Sequence, residues 1–152
     1  IRFFLGEGLH TVGERARAVE VLAPIVDRES PHLEATLRTV HALVSLREND
    51  RAWLVLERGL QAFPDESSWH LPRATLLERQ GRHAEAIDAY KLYLRAKPDH
   101  AEAWCNLGLA YETLGDLKSA VPCLERGHAL GKRRSNWPYP SKKWLDRCRS
   151  AF

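Results

Sequence analysis

The side chains in this sequence that can do chemistry are three cysteines, seven histidines and scattered carboxylates. Cys105, Cys123 and Cys148 include no pair spaced as C-x-x-C, the spacing of zinc knuckles and thioredoxin-like redox sites. No histidines are spaced as H-E-x-x-H, and the chain has no Walker loop, no G-x-S-x-G and no G-x-G-x-x-G. We therefore predict no catalytic residue, no metal site and no cofactor. The cysteine pattern favours reduced thiols and a cytoplasmic protein.

Charge separates the end of the chain from the rest. Between Lys132 and Arg149 there are seven basic residues and one acidic residue, whereas the remainder has 16 basic and 19 acidic residues. Aromatic residues alternate with the positive ones, a pattern that can bind single-stranded nucleic acid. The simpler alternative is the solvated face of a terminal helix. The basic tail is formed by Lys132, Arg133, Arg134, Lys142 and Lys143.

The rest of the chain gives no support for a nucleic-acid or membrane protein. Because the body is mildly acidic, we expect no nucleic-acid partner for it. No apolar run approaches the roughly 20 residues of a membrane-spanning helix. The composition, with 44% hydrophobic and 28% charged residues, is instead that of a globular domain.

Like residues recur every 34 positions, which indicates a stack of repeated units. One column contains only alanine, and a second contains glycine in three repeats and Arg47 in the other. The alanine column is Ala18, Ala52, Ala86 and Ala120, and the glycine column is Gly13, Gly81 and Gly115.

Within one period the pattern predicts two packed helices. Trp104, Leu107, Gly108 and Tyr111 have the spacing of one helical face, and Gly115 can end that helix in a left-handed conformation. A second helix then has small and apolar residues at Ala120, Val121 and Leu124. Since Gly108 and Ala120 have little or no side chain, we expect the two helix backbones to approach closely. Pro98 separates this pair from the preceding one.

Two further features concern helix starts. Pro72 lies early in the first helix of its repeat, so we expect that helix to begin late or to kink. Ser141 is a suitable N-cap for a terminal helix whose apolar stripe is Trp144, Leu145, Cys148 and Phe152. A repeat stack needs such a helix to cover the apolar face of its last unit.

Residues 101–134 resemble the tetratricopeptide repeat family, whose pattern combines Trp, Leu-Gly and Tyr in the first helix, Gly-Asp at the turn and Ala in the second helix. This period matches at Trp104, Leu107, Gly108, Tyr111, Gly115, Asp116 and Ala120, and it has Lys132 where the family pattern closes with Pro. The preceding period departs from the pattern, with His70 in the Trp position and Arg73 in the Leu position. The resemblance implies an all-α fold, a right-handed α-solenoid of antiparallel helix pairs. We predict a single domain, 1–152, with repeats 1–32, 33–66, 67–100 and 101–134, a linker 135–140 and a capping helix 141–152.

The same resemblance implies a concave groove, lined by the first helices of successive repeats, that holds a peptide or a partner helix. Leu37, Leu71 and Leu109 would bury apolar groups of the partner while polar residues set its register. Leu37 and Leu109 have an alternative role in packing against neighbouring helices. The implied groove residues are Phe3, Glu7, Glu34, Leu37, Arg38, His41, Leu71, Thr75, Glu78, Glu102, Cys105, Asn106, Leu109 and Glu112.

Family members that bind the acidic C-terminal tails of heat-shock chaperones hold the terminal carboxylate with Lys, Asn and Arg at set groove positions. In this chain only Arg38 and Asn106 are of a suitable type at those positions. The others are Phe3, Glu7, Ser68 and Pro72 in one register, and Leu37, His41, Pro72 and Glu102 in the next. We therefore expect the carboxylate clamp to be absent.

Two functions follow from the resemblance. The first is a non-catalytic protein–protein interaction module that binds a peptide or partner protein in the groove. The second is a recruitment or scaffold domain of a larger enzyme, such as a glycosyltransferase, sulfotransferase or oxygenase. The chain begins at Ile1 and contains no methionine, which favours a fragment of a longer protein and so keeps the second function open.

Overall fold

The computed structural model describes residues 13, 15–17, 19, 20 and 32–152, and all regular structure in that part of the chain is helical. A 3-10 turn covers Ser67–Trp69. The predicted repeat 1–32, with Phe3, Glu7 and Ala18, lies almost entirely outside the described residues. The helices are α1 (Leu33–Ser45), α2 (Asn49–Ala62), α3 (His70–Arg79), α4 (His83–Ala96), α5 (Ala101–Thr113), α6 (Leu117–Gly131) and α7 (Ser141–Ser150).

The chain divides into two compact units, Ile1–Leu76 and Leu77–Phe152. In the first unit α1 packs against α2, and their apolar faces form a core together with Trp69 of the 3-10 turn. In the second unit α5 packs against α4 and α6, and α7 packs against α6 and α5. The buried members of the first core are Val19, Val40, Leu43, Val44, Ala52, Leu56, Trp69 and Leu76.

The predicted alanine column lies at the helix contacts. Ala52, Ala86 and Ala120 are fully buried. Gly108 confirms the predicted close approach, because a methyl group added there would lie 2.6 Å from Leu124 Cγ and 3.1 Å from the Ala120 carbonyl oxygen. The 34-residue period therefore marks the points where paired helices touch.

Two members of the glycine column, Gly81 and Gly115, lie at turns between paired helices, whereas Gly13 is helical. Gly81 and Gly115 have φ angles of 74° and 79°, in the left-handed region where glycine has no steric penalty. Arg47, which replaces glycine in the column, takes the same conformation with a φ of 60°. The turn geometry is therefore kept even where the residue type is unfavourable, at a cost on the order of 1 kcal/mol.

Trp69 supplies the contact that the sequence pattern places at His70. Its indole N–H donates to the Phe63 carbonyl at 3.0 Å, as the Trp104 indole donates to the Pro98 carbonyl at 2.7 Å. The ring lies where a methyl group on Gly59 would be 2.5 Å from it. The family pattern places this tryptophan at position 70, and the 3-10 turn allows Trp69, one residue earlier, to make the same contact. The sequence therefore differs from the pattern at His70, but the packing does not.

Pro72 is tolerated because its helix begins late, as predicted. The 3-10 turn ends at Trp69, and the α-helix begins at His70, so Pro72 is its third residue. The first N–H groups of an α-helix have no partner within the helix, and a proline there loses no hydrogen bond. The ring is buried in the first unit.

The terminal helix α7 forms as expected, but the prediction that Ser141 caps it is wrong. Pro140 holds the N-cap position, and no side chain makes a capping hydrogen bond. Ser141 is buried, with its hydroxyl 2.9 Å from Nδ1 of His128 and also accepting from the Trp137 indole at 2.9 Å. The hydroxyl therefore fastens α7 to α6 and to the preceding linker.

Two histidines, 68 positions apart, each cap the first helix of the repeat that follows them. His32 Nδ1 accepts from the Ala35 N–H at 3.4 Å, and His100 Nδ1 accepts from the Ala103 N–H at 3.1 Å. Burial, partly against the Tyr93 ring 5.3 Å away, lowers the pKa of His100. Glu102 opposes that shift, and Arg134 and Lys97 add to it. The neutral ring is thus the form that caps α5.

Enlarging a buried member of the alanine column tests the assigned register. We expect Ala86→Leu to lower the free energy of unfolding by about 1–3 kcal/mol, because the larger side chain overpacks a closed contact. Ala84→Leu, on the exposed side of the same helix, changes it by less than about 0.5 kcal/mol. Urea denaturation of both variants measures the difference, and equal tolerance contradicts the register.

The histidine cap predicts a dependence of stability on pH. Because the folded-state pKa of His100 lies below its ordinary value, the unfolded chain takes up the proton first. The contribution of the neutral His100 cap to the free energy of unfolding is complete above about pH 6.5. It is lost as the pH falls through the folded-state pKa of His100. His100→Asn keeps a neutral acceptor, so its melting temperature falls less than that of the wild type between about pH 7.5 and pH 5.5.

His100→Ala serves as the control for this prediction. It removes the cap at every pH and costs about 1 kcal/mol already at neutral pH. Thermal melts of the three proteins at both pH values separate the effects. An identical drop with pH in the wild type and in His100→Asn would show that the cap does not titrate.

Candidate partner-binding groove

In the first unit, the predicted groove residues of α1 form a stripe along that helix. Glu34, Arg38 and His41 follow one another at helical spacing, with Glu34 and His41 exposed. Arg38 and Glu34 form an ion pair one turn apart. Leu37, on the neighbouring side, is half-buried and packs against the core of the unit. The stripe is therefore polar, and its leucine is committed in part to the fold.

The groove residues of α3 divide between the two units. Leu71 and Thr75, in the first unit, lie one turn apart and are half-buried. The Thr75 hydroxyl donates to the Leu71 carbonyl at 3.2 Å. Glu78, in the second unit, accepts a hydrogen bond from the Tyr90 hydroxyl at 2.6 Å, and burial raises the pKa of its carboxyl group. Glu78 thus links the end of α3 to α4.

The groove residues of α5 lie against the chain's own C-terminal segment, which we define as residues 132–152. Glu112 receives two hydrogen bonds from Arg147, at 2.6 Å from Nε and 2.7 Å from Nη2. Glu102 accepts from Arg134 at 2.5 Å. The Arg147 guanidinium lowers the pKa of the Glu112 carboxyl group. Both pairs are partly exposed, so each stabilises the fold by about 0–1 kcal/mol.

Apolar contacts reinforce these pairs. Leu109 and Trp144 pack against a cluster that contains Leu145 and Cys148 of α7. Asn106 and Cys105 line a cavity of about 70 Å³ whose other walls include Trp144. Four predicted groove residues of α5 therefore pair with the C-terminal segment or share a cavity with it, and Leu109 packs against a cluster to which that segment contributes.

Cys105 takes part in helix packing. Its side chain is buried, and a methyl group added to Gly127 of α6 would lie 2.5 Å from its Sγ. Burial raises the pKa of the thiol to about 12, so it stays protonated. Cys105 fills the α5–α6 contact instead of presenting a polar group to a partner.

The positive charge of the C-terminal segment is partly neutralised by acidic residues of α5 and α6. Arg134 and Arg147 pair with α5 as described, and Arg149 pairs with Glu125 of α6 at 2.5 Å. Trp137 is held against Gly131, where a methyl group would lie 2.3 Å from the ring. Lys132, Arg133, Lys142 and Lys143 are exposed, as are the three arginines that form these pairs.

The described residues also bear on two other kinds of site, a metal centre and a membrane span. In the ranges given above, no three histidine, cysteine or acidic residues are grouped so that they could hold a metal ion. None of the helices in those ranges is long and apolar enough to cross a membrane.

Sequence reasoning missed the histidine caps and the contacts of the C-terminal segment. His32 and His100 occupy the same column of the repeat, so the period itself could have identified the caps. The opposite charges of the basic tail and the acidic body were visible in the sequence. The pairs that they form were not, because Arg147 and Glu112 lie 35 residues apart.

Comparison with known proteins supports the repeat assignment. A sequence model described as tetratricopeptide repeat matches residues 37–101 and 73–129. The human protein O-mannosyl-transferase TMTC1 is 28% identical over 135 residues, covering 86% of this chain. The chain spans only 15% of that protein's length.

Two solved structures share the fold. The crystal structure of MamA has a TM-score of 0.70 at 23% identity, covering 87% of this chain and 77% of that one. The first TPR of Spaghetti (RPAP3), bound to the HSP90 peptide SRMEEVD, has a TM-score of 0.68 at 20% identity, covering 81% and 94%. The predicted all-α repeat fold is confirmed. Since the family matches together extend from residue 37 to residue 129, this chain belongs to the tetratricopeptide repeat family.

Proposed function

We propose that this chain is a protein–protein interaction module that binds a peptide or partner protein mainly through α1 and the first half of α3. Family membership supports the class of function. The division of the groove residues supports the location, because those of α1 include the exposed Glu34 and His41. Leu71 and Thr75 supply half-buried apolar and hydroxyl groups in the same unit.

The contact between α5 and the C-terminal segment is the observation that carries this proposal. Arg147 holds Glu112 with two hydrogen bonds, and Trp144 shares an apolar cluster with Leu109. A partner at α5 would have to replace both contacts. We infer that the α5 part of the groove is occupied by the chain itself and that a partner binds elsewhere.

A second candidate is a recruitment domain within a larger glycosyltransferase. The observation that favours it is the 28% identity to a protein named as an O-mannosyl-transferase, of which this chain matches only 15%. In that case the repeats bind a substrate protein or a regulator, and the catalytic residues belong to another domain. The intact mass of the native protein distinguishes the candidates, because an isolated module is no larger than its repeats.

The same proposal includes a reducing compartment such as the cytoplasm. Cys105, Cys123 and Cys148 are free thiols and are buried. Burial raises the pKa of Cys123 to about 11, as it does that of Cys105 to about 12. Buried, protonated thiols need no oxidising environment to fold.

Selection of short peptides from a random display library tests the location of the binding surface. We expect Glu34→Lys combined with His41→Glu to weaken the selected peptides about tenfold, because two exposed charged or polar contacts are reversed. Gln61→Glu, an exposed change on α2, serves as the control and leaves binding unchanged. Fluorescence anisotropy measures the affinities.

Two further measurements complete the test. If the C-terminal segment already occupies the α5 surface, Asn106→Ala leaves peptide binding unchanged. Peptides whose binding is lost in Asn106→Ala but kept in the variant with Glu34→Lys and His41→Glu contradict the proposal. The peptide SRMEEVD, present in the RPAP3 structure, is expected to bind this chain more weakly than micromolar, because the carboxylate clamp is not expected. Micromolar binding that is lost in Arg38→Ala would show that a clamp exists.

A further inference from the structure

The Leu77–Phe152 unit contains a second concave surface that includes none of the predicted groove residues. A cavity of about 320 Å³ is bounded by residues of α4, α5 and α6. Pockets that bind small molecules or single side chains begin at about this volume. Its lining residues are Lys91, Leu94, Arg95, Trp104, Leu107, Tyr111 and Cys123.

The walls of this cavity are apolar and held in position. Leu94 and Leu107 are buried, and they line the space together with the rings of Trp104 and Tyr111. The Trp104 indole N–H already donates to the Pro98 carbonyl at 2.7 Å, so the ring presents carbon atoms to an occupant. An apolar side chain entering the cavity would therefore not leave the Trp104 N–H without a hydrogen-bond partner.

Two positive charges accompany this apolar surface. Lys91 and Arg95 lie one turn apart on the exposed side of α4, and the Lys91 ammonium is 5.5 Å from the centroid of the Tyr111 ring. A hydrogen bond with the Tyr111 hydroxyl raises the pKa of Lys91, and the charge of Asp88, one turn before Lys91, adds to that shift.

The charge environment of these two residues differs from that of several arginines in the same unit. Arg82, Arg126 and Arg147 each lie within 4.0 Å of a carboxylate, of Glu85, Asp99 and Glu112 respectively. Within the described part of the chain, neither Lys91 nor Arg95 has an acidic side chain at that distance. The cavity therefore combines an apolar interior with positive charge that no ion pair of this unit neutralises.

We propose that this cavity is a second docking site, for a peptide that inserts one leucine or aromatic side chain and carries acidic residues beside it. The inserted side chain is buried against Trp104, Tyr111 and Leu107. The flanking carboxylates meet Lys91 and Arg95, which fixes the orientation of the peptide and selects against basic sequences. The site shares no residue with the α1 and α3 surface.

Titration with a synthetic fluorescent peptide, one phenylalanine flanked on each side by glutamates, tests this proposal by anisotropy. We expect saturable binding that weakens as salt is added. Replacing the phenylalanine with alanine abolishes it, since the anchor is lost. Lys91→Glu combined with Arg95→Glu weakens it at least about tenfold. Both residues are exposed, so circular dichroism should show an unchanged fold.

Matched variants make the result specific to the cavity. Lys118→Glu combined with Lys142→Glu changes the net charge equally at exposed residues that do not line the cavity, and it retains binding. The Glu34→Lys and His41→Glu variant also retains it, which separates this site from the proposed groove. The proposal is overturned if the Lys91→Glu, Arg95→Glu variant and the Lys118→Glu, Lys142→Glu variant lose peptide binding equally. It is also overturned if the wild type shows no saturable binding. Self-association that Lys91→Glu with Arg95→Glu abolishes would also overturn it, because the occupant would then be a second copy of the chain.

Discussion

Close contact between helix backbones at residues with small side chains is the constraint on which the described structure depends. Ala52, Ala86 and Ala120 are fully buried, one in the second helix of each described repeat. Gly108 and Gly127 extend this contact between α5 and α6, where even a methyl group would lie within 3 Å of a neighbouring atom. Such contacts fix how far apart paired helices lie, and that spacing determines which faces remain available to other molecules.

The C-terminal segment changes which faces those are. Its helix α7 covers the end of the last helix pair, as a repeat array requires. It also brings Trp144 and Arg147 against the surface of α5 that the family pattern assigns to a partner. The packing of the C-terminal segment against α5 and α6 thus both covers the apolar end of the repeat array and occupies part of the groove. Three arginines of the segment, Arg134, Arg147 and Arg149, pair with acidic residues of α5 and α6 in the same contact.

Much of the fold could be predicted from residue types and spacing. The 34-residue period located the helix pairs, the buried alanines and the turns, because each is a local requirement that returns in every repeat. Arg47 shows the strength of that requirement, since it adopts the left-handed conformation of the glycines it replaces. Prediction failed where a residue serves two neighbours at once. Ser141 is a residue type typical of an N-cap at the start of a helix. Its hydroxyl instead forms hydrogen bonds with His128 and Trp137, which only folding brings together.

The sequence by itself determined the family, the helix pairs and the list of residues that can face a groove, because these depend on periodicity along the chain. Tertiary structure alone decided which of those residues are covered, as at Glu102 and Glu112. It also created the cavity beside Lys91 and Arg95, whose walls come from three different helices. The physical reason is that burial and charge pairing depend on distances in space, and residues 35 positions apart in the chain have no pattern that records such a distance.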